Sequence, residues 1–462
     1  MAGPLGCASL DPTADLEAAA SSVQSRTGIA PDWAAPWDEL SPAWDGETPL
    51  SSDAAVIAAL QNNREIRREV ESIVAARADY VQAHLLPNPV INIALGFPID
   101  GGGGDPLAAS LIQQLAWLWQ RPARIDAADA DLRRRILAVS DAVLRVVAQV
   151  RAGHADIVYA EHAVELQQRN CDLIEQSLEL VRLKFEVGEA TQLDVNRVRL
   201  DLLQARAELV ERTASLDVAR RRLLEQLGRA DRGIDWMSDG QAIDPGRAID
   251  EFDEAEVLAA ATRLRLDAAA ASMQVNAAEH RHRLGELGAF PDLGAGARYE
   301  RNFGNREAVF PAFTVTPKLL DDNSARIARA ESELRAARIE ADRVLQQAQR
   351  EVRTAWIELE STVRTIDEYQ EQVVALATEN AALSEEAFAA GTVDLTVLLD
   401  ARREQTAARL RLNDLRASAA RKFHELERAA GGTLDPQTIE TLTAAMDAND
   451  EPAAAGEEST SS

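Results

Sequence analysis

The chain carries one long sequence pattern twice. A Phe-x-x-Gly motif at residues 185–188 precedes a long helical stretch, and the same motif returns at residues 388–391, which is 203 residues later (388 minus 185). Pro89 and Pro291 keep nearly the same spacing. A repeat of this length covers half a protein, so it predicts a fold with internal two-fold pseudo-symmetry. This repeat restricts the fold more than any single residue does.

The composition favours long helices over a thick globular core. Aromatic residues make up 4% of the chain and charged residues 27%, a balance typical of long helices and coiled coils. The net charge of −27 argues against a nucleic-acid partner, because phosphate binding needs clustered Lys and Arg. It suits either a solvated surface or a lumen that attracts cations. No apolar run reaches the roughly 20 residues of a membrane helix, which excludes a helical membrane protein but not a β-barrel.

Breaks at Gly and Pro divide the chain into five predicted regions. They are an extended N-terminal segment (1–50), a first repeat (51–228), a polar linker (229–250), a second repeat (251–432) and an acidic tail (433–462) predicted to be disordered. Each repeat combines one long helix, two shorter helices and two short strands. In helix 192–227, Val195, Leu202, Leu209, Leu216 and Leu223 recur every seven residues, which predicts a coiled-coil seam. The predicted helices are 53–84, 126–186, 192–227, 254–286, 325–387 and 393–430, and the predicted strands are 90–97, 107–119, 292–299 and 308–316.

The strand segments carry one apolar face. In the first predicted strand, Ile93 and the residues two positions before and after it lie on one face, whereas Asn92 lies on the other. Trp117 and Trp119 fall where strand gives way to helix, and aromatic residues there are typical of a membrane interface. The alternative is a soluble four-stranded sheet with one buried face, but every other segment is a long helix that leads away. The predicted lipid-facing strand residues are Ile91, Ile93, Leu95, Phe97, Trp117 and Trp119.

Four strands cannot close a barrel, since the smallest membrane barrels have about 8. A membrane-spanning sheet of this kind therefore requires association of the chain, to 8 strands in a dimer or 12 in a trimer. A competing hypothesis is a soluble coiled-coil scaffold, which accounts for the helices but not for the strands. The sequence contains no phosphate loop, nucleophile elbow or zinc spacing, so we expect neither an enzyme nor a cofactor.

Taken together, the duplicated helices, the Phe-x-x-Gly motifs and the Pro-led strand pairs resemble the outer membrane efflux protein (TolC-like) family. The resemblance covers residues 51–432. It implies a mainly α fold of long antiparallel hairpins, with four strands per protomer in a trimeric 12-stranded barrel in the outer membrane. It also implies an exit duct through the periplasm for a tripartite efflux pump, joined by a periplasmic adaptor to an inner-membrane transporter of the RND type. A type I secretion system with an ABC exporter is the alternative, and the sequence does not separate metal ions, drugs and polypeptides as substrates.

The resemblance further implies that the hairpin tips meet the adaptor and form the tunnel gate. Family members often carry acids just past the second tip; Asp400 matches one such position, whereas Val397 departs from the other. Asp194 follows the first tip and is a second gate candidate. Helix capping is an equally good explanation of Asp194 and Asp394. The predicted docking residues are Gly188, Glu189, Thr191, Gly391, Thr392 and Asp394.

Cys7 is a candidate for lipidation. The segment at residues 5–9, Leu-Gly-Cys-Ala-Ser, resembles the end of a lipoprotein signal, at which many relatives are anchored. Pro4 replaces the usual aliphatic residue, and the expected apolar stretch does not precede it. Either the signal begins upstream of this start or Cys7 is incidental, and we expect the former.

Overall fold

The computed structural model describes residues 9–33, 44–97, 99, 104–243 and 245–435. Among these residues, no helix is both long and apolar enough to cross a membrane. The π-helical turn Tyr369–Val374 joins the helix that ends at Glu368 to the helix that begins at Ala375. The helices are α1 Thr13–Thr27, α2 Ser52–Asn62, α3 Arg64–His84, α4 Trp117–Glu186, α5 Gln192–Gln226, α6 Gly246–Glu251, α7 Glu254–Leu264, α8 Leu266–Leu287, α9 Ser324–Glu368, α10 Ala375–Ala389 and α11 Leu395–Ala430, and the strands are β1 Val90–Leu95, β2 Leu107–Gln114, β3 Asp292–Arg301 and β4 Glu307–Thr316.

The chain forms two compact units, each assembled from three segments. The sheet unit contains all four strands, and the hairpin unit contains both Phe-x-x-Gly motifs. Each unit takes segments from both halves of the sequence. The sheet unit comprises Met1–Ala19, Glu69–Val139 and Leu266–Gln346, and the hairpin unit comprises Ala20–Arg68, Ser140–Arg265 and Gln347–Ser462.

The four strands form one antiparallel sheet in the order β1-β2-β3-β4. Ile93 pairs with Ala109, Ala109 with Tyr299, and Tyr299 with Val309, so these four residues form one row on the same face. At Gly296 the backbones of β2 and β3 approach so closely that a Cβ would lie 1.8 Å from the Leu111 carbonyl oxygen. The prediction of a mainly helical chain with one small four-stranded sheet is confirmed.

Trp117 and Trp119 do not lie on a strand, so the prediction that the second strand extends to residue 119 was wrong, whereas their contact with lipid stays a prediction. Both belong to the first turn of α4 and are half-buried. The reason is the neighbouring strand. The backbone N–H of Leu115 still donates to the Leu293 carbonyl at 2.7 Å. Two residues further on, Trp117 would lie opposite Pro291, which precedes β3 and has no N–H to donate, so the ladder cannot continue. β1 is also shorter than predicted, and Phe97 lies beyond its end.

The N-terminal segment is not extended throughout, because residues 13–27 form α1. Asp11 caps its start by accepting hydrogen bonds from the backbone N–H of Thr13 at 3.0 Å and from the Thr13 hydroxyl at 2.6 Å. Leu16, Ala19 and Val23 are buried at intervals of three to four residues, which is a helical face. The prolines on the C-terminal side of this region hid the helix from the sequence pattern.

Two helices predicted as continuous are each broken at one residue, and the breaks repeat. Asn63 separates α2 from α3 and Arg265 separates α7 from α8, both with extended backbone. Gly228 and Gly431, at φ +69° and +95°, follow the ends of α5 and α11. Each glycine packs against the backbone beside one of the two breaks. A Cβ at Gly228 would lie 2.2 Å from the Asn62 carbonyl oxygen, so this close packing requires glycine.

The break at Arg265 is held by a buried ion-pair cluster. Arg265 donates to Glu351 at 2.7 Å, and Arg428 and Gln347 donate to the same carboxylate at 3.3 and 2.7 Å. Burial raises the pKa of Glu351, but the hydrogen bonds from Gln347 and Arg265 and the charges of Arg265 and Arg428 outweigh it, so that the pKa is lowered. Glu351 therefore stabilises the fold in its ionised form.

The segment predicted as a polar linker, residues 229–250, is anchored to the long helices. Arg220 donates to Glu161 at 2.8 Å, and both side chains are largely buried. The backbone N–H of Ser238 donates to the same carboxylate at 3.2 Å, and the Arg220 guanidinium stands 5.7 Å from the Trp236 ring. Trp44 packs edge-on against Trp236 with ring centroids 5.2 Å apart. These contacts tie the linker to α4 and α5.

Candidate functional site

The first part of the site is the pair of hairpin tips, which share one backbone design. Gly188 and Gly391 have φ of +83° and +74°. Each glycine N–H donates to the Phe carbonyl three residues earlier, at 3.0 and 3.1 Å, and the N–H of the next residue donates five residues back, at 2.8 and 2.9 Å. This is the Schellman helix end, in which the left-handed position favours glycine. The glycines of the repeated motif therefore reverse the chain at both tips.

The acids at the two tips have different local roles. Asp194 and Thr191 form a capping box at the start of α5, in which the Asp194 carboxylate accepts hydrogen bonds from the Thr191 hydroxyl and N–H at 2.6 and 2.8 Å. These bonds lower the pKa of Asp194. Capping, one of the two explanations open for Asp194, is thus present in the structure. Asp394 is the N-cap residue of α11 but makes no side-chain cap bond, and its carboxylate accepts a hydrogen bond from the Thr396 hydroxyl at 3.2 Å.

The two hairpins pack together just behind their tips. Val181 and Val198 of the first hairpin share one buried cluster with Leu395 and Leu399 of the second. Phe388 packs against this cluster, and the Lys184 ammonium stands 4.3 Å from the centre of its ring. The predicted heptad seam of α5 also faces inward, since its Leu, at every seventh position, are buried or half-buried.

Arginines of α11 form polar links between the hairpins. Arg403 pairs with Asp201 of α5 and also with Asp400 at 3.1 Å. Asp201 is only 6% exposed, and within the described residues its second carboxylate oxygen has no hydrogen-bond partner. Arg402 donates to Ser177 of α4 at 2.8 Å, and Arg197 of α5 donates to Thr396 at 3.2 Å. The tips are therefore joined by both apolar and charged contacts.

Sequence reasoning identified Asp400 but missed Arg403 and Asp201. A carboxylate at Asp201, directly before the buried seam residue Leu202, could have indicated a charge held by a partner. The partner itself lies 202 residues away (403 minus 201) and no local pattern predicts it.

Apolar residues at heptad spacing remain exposed on the outside of the hairpins. On α4 and the adjoining tip these are Leu173, Leu180 and Val187, the last 71% exposed. On α10, Leu376 and Leu383 are likewise exposed and seven residues apart. Rows of this spacing are typical of coiled-coil contacts.

The second part of the site is the sheet, whose faces differ in polarity. Ile91, Ile93 and Leu95 are exposed on one face, with Ile93 at 67%, and Phe313 of β4 lies on the same face. Exposure of this row is what a lipid-facing role requires, and that role remains a prediction. The opposite face surrounds an open concavity of about 750 Å³, with small, polar and some apolar residues, including Asn92, Ser110, Arg298, Glu300 and Thr314.

The chain contains two cysteines, Cys7 and Cys171. Cys7, the lipidation candidate, lies outside the described residues. Cys171 is buried in the apolar cluster behind the tips, and burial is the first cause that raises the pKa of its thiol. In the described part of the chain, no group of three or more His, Cys, Asp or Glu side chains is placed to hold a metal ion.

Comparison with known proteins identifies a family and several similar proteins for this chain. The model of the outer membrane efflux protein family matches residues 56–229 and 257–432. The cobalt-zinc-cadmium resistance protein CzcC of Cupriavidus metallidurans is 23% identical over 391 residues, which cover 79% of this chain and 85% of CzcC. Among solved structures, the outer membrane protein VceC of Vibrio cholerae superposes with a TM-score of 0.69 at 17% identity, over 83% of this chain and 97% of that one. The open-state MtrE outer membrane channel of Neisseria gonorrhoeae gives a TM-score of 0.67 at 19% identity, over 88% and 98% of the two chains.

Proposed function

Because the chain belongs to the outer membrane efflux protein family, we propose that it is the outer-membrane exit duct of a tripartite efflux system. In this role it conducts substrates passively across the periplasm and the outer membrane. Conduction occurs when a periplasmic adaptor joins the duct to an energised inner-membrane pump, for which the RND type is our first candidate. The outer-membrane location predicted from the sequence agrees with the family.

The observation that carries the proposal is the polarity of the sheet. One face exposes Ile, Leu, Val and Phe side chains. The other borders a concavity whose lining combines Asn, Ser, Thr, Arg and Glu with the apolar Ile112 and Phe310. This is the apolar-out, polar-in alternation of a membrane barrel wall. In the sheet order, β1 and β4 each have a partner on one side only, so both edges are free to pair. Three copies joined at these edges give 12 strands.

We assign adaptor docking to the two tips. Their predicted docking residues occupy sharp, glycine-dependent turns with exposed side chains, including Glu189 and Thr392. Gating is assigned to the contacts behind the tips, because separating the hairpins requires breaking the Arg403–Asp201 pair and opening the apolar cluster. Asp400 and Asp194 are the acids that narrow the mouth and favour cations, with Asp194 doing so while it caps α5.

Metal cations are the first substrate class to test. The support is the relationship to a cobalt-zinc-cadmium resistance protein, together with the net charge of −27. A duct conducts its substrates without holding them. Its selectivity among ions therefore reflects the electrostatic field in the lumen rather than a tight binding site.

The proposal is tested by reconstituting the purified protein in planar lipid bilayers and by measuring its mass in detergent by light scattering. We expect a trimer that produces discrete conductance steps with cations preferred over anions. A protein that is monomeric and soluble without detergent and produces no conductance would support the coiled-coil scaffold instead. Cells that lack the protein should in addition accumulate zinc when the cognate pump is present.

A further inference from the structure

The second long helix contains one residue more than the first. Ile125 and Ile327 each end an Ala-Arg-Ile sequence near the start of a long helix, and they are 202 residues apart (327 minus 125). Phe185 and Phe388 of the two tip motifs are 203 residues apart (388 minus 185). The second repeat therefore carries one extra residue between positions 327 and 388.

Burial narrows the position of this extra residue. Ile157 of α4 and Leu359 of α9 are 202 residues apart (359 minus 157), and both are fully buried. Ile174 of α4 and Ala377 of α10 are 203 residues apart (377 minus 174), and both are again buried. The spacing thus changes between Leu359 and Ala377, in the stretch that contains the π-helical turn Tyr369–Val374.

The π-helical turn accommodates the extra residue without rotating the helix beyond it. Its hydrogen bonds join residues five apart rather than four, so the turn holds one residue more than an α-helical turn. One extra residue in a regular α-helix would rotate all later side chains by about 100°. On α10, Ala377 and Ala381 are buried and match Ile174 and Leu178 of α4. The turn therefore keeps the buried face of α10 in register with the first repeat.

The helix packs loosely around this turn. From residue 363 to residue 376, a stretch that the structure describes throughout, every side chain is exposed or half-buried. Over the matching part of the first repeat, α4 buries Ala163, Gln167 and Cys171. Five of the six residues from 367 to 372 are Asp, Glu or Gln, so this stretch offers little apolar surface to a neighbouring chain. Little side-chain packing therefore opposes a change of angle at the turn.

The helices beside the turn are fixed more firmly. The Asn413 amide of α11 donates to the Tyr159 carbonyl of α4 at 2.8 Å, and the Thr406 hydroxyl donates to Asn170 at 3.2 Å. α4 itself is α-helical without interruption from Trp117 to Glu186. The firm part of this region is therefore α4 with α11, and α10 is the helix that can bend.

We propose that the π-helical turn is a hinge at which α10 bends relative to α9, so that α10 and the second tip shift against the α4–α11 pair. Turns of this kind cause bends in helices and occur frequently at functional sites. The exposed Leu376 and Leu383 follow the turn and move with α10. The hinge therefore sets the direction of this apolar row, and α4, which leads to the first tip, has no equivalent turn.

Contacts at the tip end of α10 limit the motion. α10 is held there by the exposed pair of Arg402 with Glu385 and by Phe388, which packs against the apolar cluster behind the tips. Bending must loosen these contacts. The hinge goes beyond the proposed function, because it follows from the spacing and packing of one chain; only its effect on channel opening rests on the duct.

Hydrogen exchange of the backbone amides in the detergent-purified protein tests the hinge directly. A turn that bends opens its hydrogen bonds often, so we expect exchange in residues 363–376 about tenfold or more faster than in residues 161–173 of α4. Equal exchange in the two stretches would overturn the hinge.

Deletion of Gln372 removes the hinge while it keeps the helix. Gln372 is exposed, and its loss leaves five residues where the turn has six (6 minus 1), which restores an α-helical turn and a spacing of 202 between the tip motifs (387 minus 185). We expect an unchanged amount of folded protein, a higher melting temperature and exchange at 363–376 as slow as at 161–173. In planar bilayers the channel should open less often. Deletion of Glu371 is a second variant, in case the loss of one particular side chain disturbs the turn.

Deletion of Gln168 is the matched control. Gln168 is exposed on α4 at the position that matches Gln370 (370 minus 168 is 202), but α4 has no π-helical turn to absorb the change. Its loss rotates Ile174 and Leu178 by about 100° away from their buried cluster, so we expect little folded protein.

The outcomes are distinct. Loss of folded protein from both turn deletions, as severe as that from the Gln168 deletion, overturns the extra residue and with it the hinge. Unchanged exchange and melting in a well-folded Gln372 deletion also overturn the hinge. An unaltered protein that produces no conductance contradicts the proposed duct, and the exchange rates then decide the hinge alone.

Discussion

A charge on the apolar face of β1 provides the sharpest test of how this chain meets the membrane. Ile93 lies in the middle of the strand, 67% exposed, and its neighbour Asn92 points to the opposite face. Ile93→Arg therefore places a guanidinium where we propose lipid, and Asn92→Arg places the same group in the concavity. The two variants place the same side chain one position apart on the same strand, so they differ mainly in the face of the sheet that carries it.

The expected difference is large. An arginine on the lipid face of a membrane barrel costs about 2–4 kcal/mol at the bilayer midplane. A trimer contains the substitution three times, so Ile93→Arg costs about 6–12 kcal/mol per assembly. Since 1.4 kcal/mol is a tenfold change, even the lower figure disfavours the inserted trimer by about four orders of magnitude. Asn92→Arg loses at most the weak contact to the Ser110 hydroxyl at 3.4 Å.

The assay is the amount of heat-modifiable trimer in the outer-membrane fraction, followed by single-channel recording. We expect Ile93→Arg to abolish the trimer band, and Asn92→Arg to retain it while reducing the preference for cations. Equal trimer yield from Ile93→Arg and the parent protein would refute the assignment of the two faces. So would a loss of trimer from Asn92→Arg as severe as that from Ile93→Arg.

Three further predictions concern the hairpin unit. Gly188→Val and Gly391→Val impose a left-handed backbone on a β-branched residue, at about 1–2 kcal/mol each. Nothing lies within 4 Å of an added Cβ, so we expect weaker efflux from altered tips but normal trimer yield. Arg403→Ala leaves Asp201 buried without its partner, which costs about 1–3 kcal/mol; we expect a lower melting temperature and more frequent channel opening. The lowered pKa of Glu351 stabilises the protein above its ordinary value of 4.5, and that stability is lost as the pH falls through the folded pKa; Glu351→Gln should reduce the acid dependence of denaturant unfolding.

Each of these predictions has a matched control. Gly188→Asn should retain efflux, because Asn tolerates the left-handed region, and equal defects in the Asn and Val variants would argue against backbone strain. Arg364→Ala removes an exposed pair with Glu360 within one helix and should leave melting and channel opening nearly unchanged. Glu333→Gln alters a surface pair with Arg329, and an acid response equal to that of Glu351→Gln would contradict the role of the buried cluster.

Local signals were sufficient for much of the fold. The Phe-x-x-Gly motif predicted both tips, because a sharp helix end needs a left-handed residue and glycine supplies it at φ +83° and +74°. Alternation of apolar and polar residues located the strands, and the seven-residue Leu spacing located the inward face of α5. These features are determined by residues close in sequence, so the chain alone was enough to predict them.

The tertiary structure decided the features that depend on distant partners. Trp117 enters a helix because Pro291, 174 residues further on (291 minus 117), cannot extend the strand ladder. The Arg403–Asp201 pair exists because two separate hairpins pack together, and its distance in sequence leaves no periodic trace. Sequence periodicity reports which face of an element is apolar, whereas the residue that meets this face is chosen only when the chain folds.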